Sequence, residues 1–183
     1  MNSKVIIEKQ QFQVILDRLC YELIENHGDF NNTAIIGLQP RGIYLSRRLH
    51  KRIHEILGIS NILYGELDIS FYRDDFRRGN EQIVPNEMKI DFTVQDKNIV
   101  IVDDVLYTGR TIRASLDALT DFGRPAKVEL LVLIDRRYSR HLPIQPDYTG
   151  MQVDSRAKDK VKVEWKDNTK EDKAYIITGH DEK

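Results

Sequence analysis

The chain has 183 residues, 40% hydrophobic and 31% charged, which suits one domain with a substantial core. Lysine and arginine total 28 against 29 aspartate and glutamate, a balance that excludes a global nucleic-acid footprint and makes any polyanion site a local one. No apolar run approaches the roughly 20 residues that span a bilayer, and the one cysteine, Cys20, has no partner for an intrachain disulfide, so a cytoplasmic protein without membrane contact is expected.

Phe12, Ile15, Leu16, Leu19, Leu23 and Ile24 recur at helical spacing, predicting an amphipathic helix over 12–25 that ends near Asn26-His27-Gly28. Thr33 to Leu38 reads as a short buried strand. Gln39-Pro40-Arg41-Gly42 breaks it, and Ile43, Leu45, Leu49 and Ile53 carry a second helix. Partial alternation over 62–72 predicts a further strand. Arg73 to Asp96 is polar, contains Gly79 and Pro85 and has no clean period, as in an extended β-arm or a mobile loop.

The β-branched run Asn98 to Val102 predicts a strand buried on both faces. It is followed by Asp103-Asp104, a glycine turn, and a helix from Thr111 to about Phe122 closed by Gly123 and Pro125. Val128 to Ile134 is another buried strand. Beyond it, Lys158, Lys160, Lys162, Lys166, Lys170 and Lys173 interleave with acids around Val161, Val163 and Trp165, predicting a solvated edge strand and a turn. Strands alternating with helices give an α/β class: a central parallel sheet flanked by helices, with ligands at the carboxyl ends of its strands.

The chemistry concentrates in Ile99-Val100-Ile101-Val102-Asp103-Asp104-Val105-Leu106-Tyr107-Thr108-Gly109-Arg110-Thr111. Two adjacent carboxylates at the end of a buried strand are costly unless something pairs with them or donates hydrogen bonds. Vicinal ribose hydroxyls, with or without a divalent cation, are suitable partners. Thr108-Gly109-Arg110-Thr111 then leads into a helix, where amide groups, two hydroxyls and the positive helix end form an anion site. Diol recognition next to phosphate recognition describes a ribose 5-phosphate.

That string resembles the 5-phosphoribosyl-1-pyrophosphate (PRPP) signature of the type I phosphoribosyltransferases. Further strings look like the PyrR family, whose members combine pyrimidine operon attenuation with uracil phosphoribosyltransferase activity. They are Arg41-Gly42-Ile43-Tyr44-Leu45, Glu66 to Asp75, Gly123-Arg124-Pro125-Ala126, Leu133-Ile134-Asp135-Arg136 and Leu142-Pro143-Ile144.

The resemblance implies a type I phosphoribosyltransferase fold forming a single domain over 1–183. A mobile β-arm or loop at about 72–96 would close over PRPP, and a small hood would be built from about 135–160 and the chain ends. It implies that Asp103 and Asp104 hold the ribose hydroxyls while Val105, Leu106, Tyr107, Thr108, Gly109, Arg110 and Thr111 form the PRPP loop. Pro40, Arg41 and Gly42 would receive pyrophosphate, Arg73 would meet it from the mobile loop, and Mg²⁺ would bridge PRPP oxygens, reaching Asp103 and Asp104 only through PRPP. Arg136, Tyr148 and Val153 would line the base, with a surface salt bridge as the competing reading for Arg136.

The implied reaction is uracil plus PRPP to UMP plus pyrophosphate. Tyr107 stands where purine-using relatives often carry an acid, which favours a pyrimidine. The resemblance also implies a homodimer or larger homo-oligomer, and RNA as a partner. Here the chain departs from the pattern. Asp17 and Tyr21 replace threonine and histidine around Arg18, and Gly150-Met151-Gln152-Val153-Asp154-Ser155-Arg156 lacks the family's lysine. The added negative charge at Asp17 and Asp154 argues against RNA binding, and Arg137 stands where the family commonly has glycine. The alternatives to the enzyme are a UMP-sensing RNA-binding regulator with little catalysis and a purine-base phosphoribosyltransferase.

Overall fold

In the computed structural model, which describes residues 3–72 and 89–179, five strands pair in parallel in the order β3-β2-β4-β5-β6. They are β2 (Thr33–Leu38), β3 (Leu63–Leu67), β4 (Asn98–Leu106), β5 (Lys127–Arg137) and β6 (Tyr148–Asp154). Every residue of β2 is buried and β4 is buried almost throughout, as continuous apolar runs covered on both faces require. Helices α1 (Lys9–His27) and α2 (Gly42–Leu57) cover one face and α3 (Arg110–Leu119) the other. On the first face Leu19, Leu45, Leu49, Val100 and Leu133 interlock, and on the second Ile36, Ile99, Ile112, Leu119 and Val132 do so.

The expected helices form where the spacing places them. Glu8 and Gln11 make reciprocal capping bonds at the start of α1, and Gly28 closes it at φ +58° with its N–H on the Ile24 carbonyl. Three boundaries differ from expectation. The strand predicted over 62–72 stops at Leu67, because the Asp68 carboxylate accepts from the Ser70 N–H at 2.8 Å and from its hydroxyl at 2.5 Å, turning the chain into a short 3₁₀ turn at Ser70–Tyr72. The strand predicted over 98–102 runs on to Leu106, because β5 continues to pair with it at Val105↔Ile134 and Leu106↔Asp135. The two carboxylates therefore lie within a strand.

The third difference is at the chain ends. β1 (Ser3–Ile7), β7 (Lys160–Glu164) and β8 (Lys173–Ile177) form an antiparallel sheet in the order β1-β8-β7. Its inner side is apolar. β7 is the edge strand of this sheet and a turn follows it, as the lysine-rich segment predicts, while Trp165 just beyond it is buried, meeting Phe12 edge-on at 5.2 Å and stacking on Tyr44 at 5.9 Å. Of the segment read as a β-arm or loop, Arg73 to Met88 lies outside the described residues, while Lys89 pairs with Glu66 as an isolated antiparallel bridge. Among the described residues no helix is long and apolar enough to cross a membrane.

Candidate phosphoribosyl site

Two connections, with the acidic pair of β4 between them, meet at the carboxyl ends of β2 and β4. The first is the β2–α2 turn, which carries a cis Gln39–Pro40 peptide, exposed Pro40 and Arg41, and buried Gly42. A Cβ at Gly42 would lie 2.3 Å from the Val102 carbonyl oxygen and 2.9 Å from the Asp103 Cα, so only glycine lets α2 begin against β4. That contact brings the Arg41 guanidinium over the acidic pair. Its Nε donates to Asp104 Oδ2 at 2.7 Å, and Nη2 donates to the Val163 carbonyl at 2.7 Å, tying β7 to the site.

Asp103 and Asp104 are 8% and 5% exposed. The Asp104 N–H donates to Asp103 Oδ1 at 2.9 Å. Burial raises the Asp104 carboxyl above its ordinary range even though the Arg41 charge and hydrogen bond oppose the rise. A buried carboxylate with one arginine, itself about half exposed, is poised to accept further donors such as ribose hydroxyls.

The second connection is the β4–α3 loop. Gly109 caps α3 with φ +91°, and a Cβ there would press on Ile144 at 3.2 Å. The Arg110 N–H reaches Thr108 Oγ1 at 3.4 Å, and the opening amides of α3 have no carbonyl partners within the helix. With exposed Arg110 and half-buried Thr108 and Thr111, this end suits a phosphate. Leu106 turns its side chain into the core and Val105 is half-buried against it, so both would serve a ligand through backbone groups only.

Two of the residues expected at the base lie near this end. Arg136 is buried, and its guanidinium sits 3.9 Å from the centre of the Tyr107 ring. Its Nε donates to Ser155 Oγ at 2.8 Å, and Nη2 donates to the carbonyls of Arg156 and Asp159 at 3.2 and 2.9 Å. The competing picture of Arg136 as an exposed salt-bridge partner does not hold. Val153 pairs with Arg136 in the β5–β6 register and is buried.

Tyr148 is placed elsewhere. It is buried, with its hydroxyl at 3.0 Å from Asn26 Nδ2 and 3.2 Å from His27 Nε2 and also reaching Glu129, because an inward-facing tyrosine at the start of β6 meets the end of α1. Arg73 lies outside the described residues. Sequence reasoning missed Arg140, whose guanidinium reaches the Leu106 and Tyr107 carbonyls. No local pattern marks it, since the two carbonyls it reaches at the end of β4 lie more than thirty residues away.

Among the described residues no cluster of three or more histidine, cysteine or acidic side chains could hold a metal ion. Two neighbouring carboxylates beside a phosphate site instead fit a hard cation that takes most of its oxygens from substrate and water.

The phosphoribosyl transferase domain family matches residues 4–168. The chain is 42% identical over 175 residues to the bifunctional protein PyrR of Elusimicrobium minutum, covering 96% of this chain and 97% of that one. It is 45% identical to the Desulfosudis oleivorans PyrR, with 94% and 95% covered, and 42% identical to that of Bacillus subtilis, with 90% and 91% covered. Among solved structures, a hypoxanthine phosphoribosyltransferase from Staphylococcus aureus superposes with a TM-score of 0.66 at 19% identity, covering 86% of this chain and 80% of that one. A Bacillus anthracis hypoxanthine-guanine phosphoribosyltransferase gives 0.65 at 16% identity, with 82% and 84% covered. The structural likeness fixes the type I phosphoribosyltransferase fold, and the sequence matches fix the branch: the chain is a phosphoribosyltransferase of the PyrR family.

Proposed function

We propose that the chain transfers the phosphoribosyl group of PRPP to uracil, forming UMP and pyrophosphate. The observation that carries this reading is the meeting of Arg41, Asp104 and the Thr108–Thr111 loop at adjacent strand ends. A carboxylate for the ribose, an amide-rich helix end for the 5-phosphate and a guanidinium for the pyrophosphate each match one part of PRPP.

In this reading Asp103 and Asp104 accept hydrogen bonds from the ribose 2- and 3-hydroxyls, and the loop from Thr108 to Thr111 fixes the 5-phosphate. Arg41, with Pro40 and Gly42 bringing backbone close, receives the pyrophosphate. As the C1–oxygen bond to pyrophosphate breaks, positive charge grows on the ribose ring, and the buried carboxylates beside it stabilise that charge. N1 of uracil then bonds to C1, and its proton passes to the departing pyrophosphate or to water. Mg²⁺, carried in on PRPP with Asp103 and Asp104 nearby, would neutralise the leaving pyrophosphate.

Uracil rather than a purine is supported by Tyr107 at the position before the phosphate loop, stacked on Arg136, and by the PyrR relatives. The base would lie beside this stack and the β6 backbone near Val153. Regulation through RNA is the second reading, favoured by the bifunctional relatives. Against it, the guanidinium of Arg18 is held by Glu22 and by the Thr149 and Gly150 carbonyls, and Asp154 engages Arg137 at 2.6 Å. A homodimer or larger assembly belongs to the same family reading. The test is conversion of labelled uracil to UMP in the presence of PRPP and Mg²⁺. UMP that forms only when PRPP is supplied supports the reading, and its absence sinks it.

A further inference from the structure

We propose that Arg140 is a positioning residue for the 5-phosphate loop, a guanidinium brace that fixes the loop's start from the segment following β5. The inference rests on the reading of Thr108–Thr111 as the phosphate site.

β4 and β5 stop pairing at Leu106↔Asp135, where the two strands begin to part. Arg140 donates to carbonyls on both sides of this parting. Nη1 lies 3.3 Å from the Leu106 carbonyl oxygen and 3.0 Å from that of Arg136, and it also reaches the Tyr107 carbonyl. Nε donates to the Ile144 carbonyl at 3.0 Å, and Nη2 pairs with the buried Asp135 carboxylate. One planar fork thus joins the end of β4, the end of β5 and the 140–144 segment, which a compact ammonium could not do at once.

The same segment then packs against the loop. The His141 N–H donates to the Thr108 carbonyl at 3.0 Å, and Ile144 sits where a side chain on Gly109 would be. Thr108 and Gly109 are therefore fixed from one side by groups whose own positions Arg140 sets. A loop held ready loses less entropy on taking a phosphate, and small displacements of such a loop weaken binding sharply.

The brace touches the phosphate side and not the Arg41 side, which gives a discriminating test. Binding of ribose 5-phosphate, PRPP and inorganic pyrophosphate with Mg²⁺ is measured by calorimetry on the parent chain, Arg140→Ala and Arg140→Lys. Arg140→Lys keeps the charge and serves if the alanine variant does not fold. Ribose 5-phosphate and PRPP should weaken about tenfold or more in either variant, with pyrophosphate within about twofold of the parent. Equal weakening of all three ligands would mark a general structural role, and no weakening would mark no role; either overturns the inference. If the parent itself binds neither ribose 5-phosphate nor PRPP, the functional reading falls, and this inference with it.

Discussion

Arg41 and Asp104, 63 positions apart, meet at 2.7 Å where the β2–α2 turn crosses the end of β4. The same guanidinium holds the Val163 carbonyl, so one side chain links the β2–α2 turn, the end of β4 and the chain-end sheet. PRPP, on binding, would offer Asp104 its hydroxyls and Arg41 its pyrophosphate, exchanging an internal pair for two substrate contacts.

Asp104→Asn should separate activity from stability. The substitution removes a charge-assisted acceptor for the ribose, and kcat/KM for PRPP should fall about 100-fold, since such bonds are worth about 2–3 kcal/mol. The Asp104 carboxyl is raised by burial, so the fold favours its protonated form and the ionised form at neutral pH is destabilising. A neutral asparagine removes that cost. Its melting temperature should match or exceed the parent's, and a folded variant with near-parental PRPP kinetics would refute the ribose assignment.

Gly42→Ala should damage both packing and function. The added methyl would sit 2.3 Å from the Val102 carbonyl oxygen, forcing α2 away from β4. Overpacking of this kind costs about 1–3 kcal/mol. Urea titration should show the midpoint falling with an unchanged slope, and PRPP turnover should drop with it because Arg41 moves away from Asp104.

Arg136→Met keeps most of the side-chain volume but abandons the Ser155, Arg156 and Asp159 acceptors and the charge over Tyr107. Leaving such carbonyls without a partner costs about 1–3 kcal/mol. Calorimetric unfolding reads that loss. Kinetics should show the KM for uracil rising more than the KM for PRPP, and the reverse order would place Arg136 outside the base site.

Two half-buried or buried histidines give stability a pH dependence of known sign. Burial lowers His27, against the pull of Glu129 at 2.8 Å, and burial together with the neighbouring His54 lowers His50. The unfolded chain then binds protons that the folded chain refuses, so stability is lost as pH falls below the ordinary histidine value of about 6.5. The melting temperature should drop between about pH 7.5 and 5.5, and His27→Gln and His50→Gln should each flatten the slope. A slope unchanged in both variants would contradict this.

The region from Asn98 to Leu119 was legible in the sequence because each signal there is local. A β-branched run, a glycine at a turn and an amphipathic helix all declare themselves within a few residues. The stretch from Asp103 to Thr111 shares that legibility, and its residues gather at the end of β4 and the start of α3. What stayed hidden depends on distant partners. β1 is five residues long and acquires its meaning only against β8, near the other end of the chain. Tyr148 resembles a base-site aromatic by position, yet its hydroxyl belongs to Asn26 and His27. The Arg140 brace is also invisible locally, since carbonyls carry no sequence signal.

The most direct test compares initial rates of pyrophosphate release from PRPP and Mg²⁺ with uracil, hypoxanthine, guanine or xanthine supplied separately. The account predicts turnover with uracil and background release with each purine. Faster release with any purine would contradict the pyrimidine assignment, and background release with all four would contradict the catalytic reading itself.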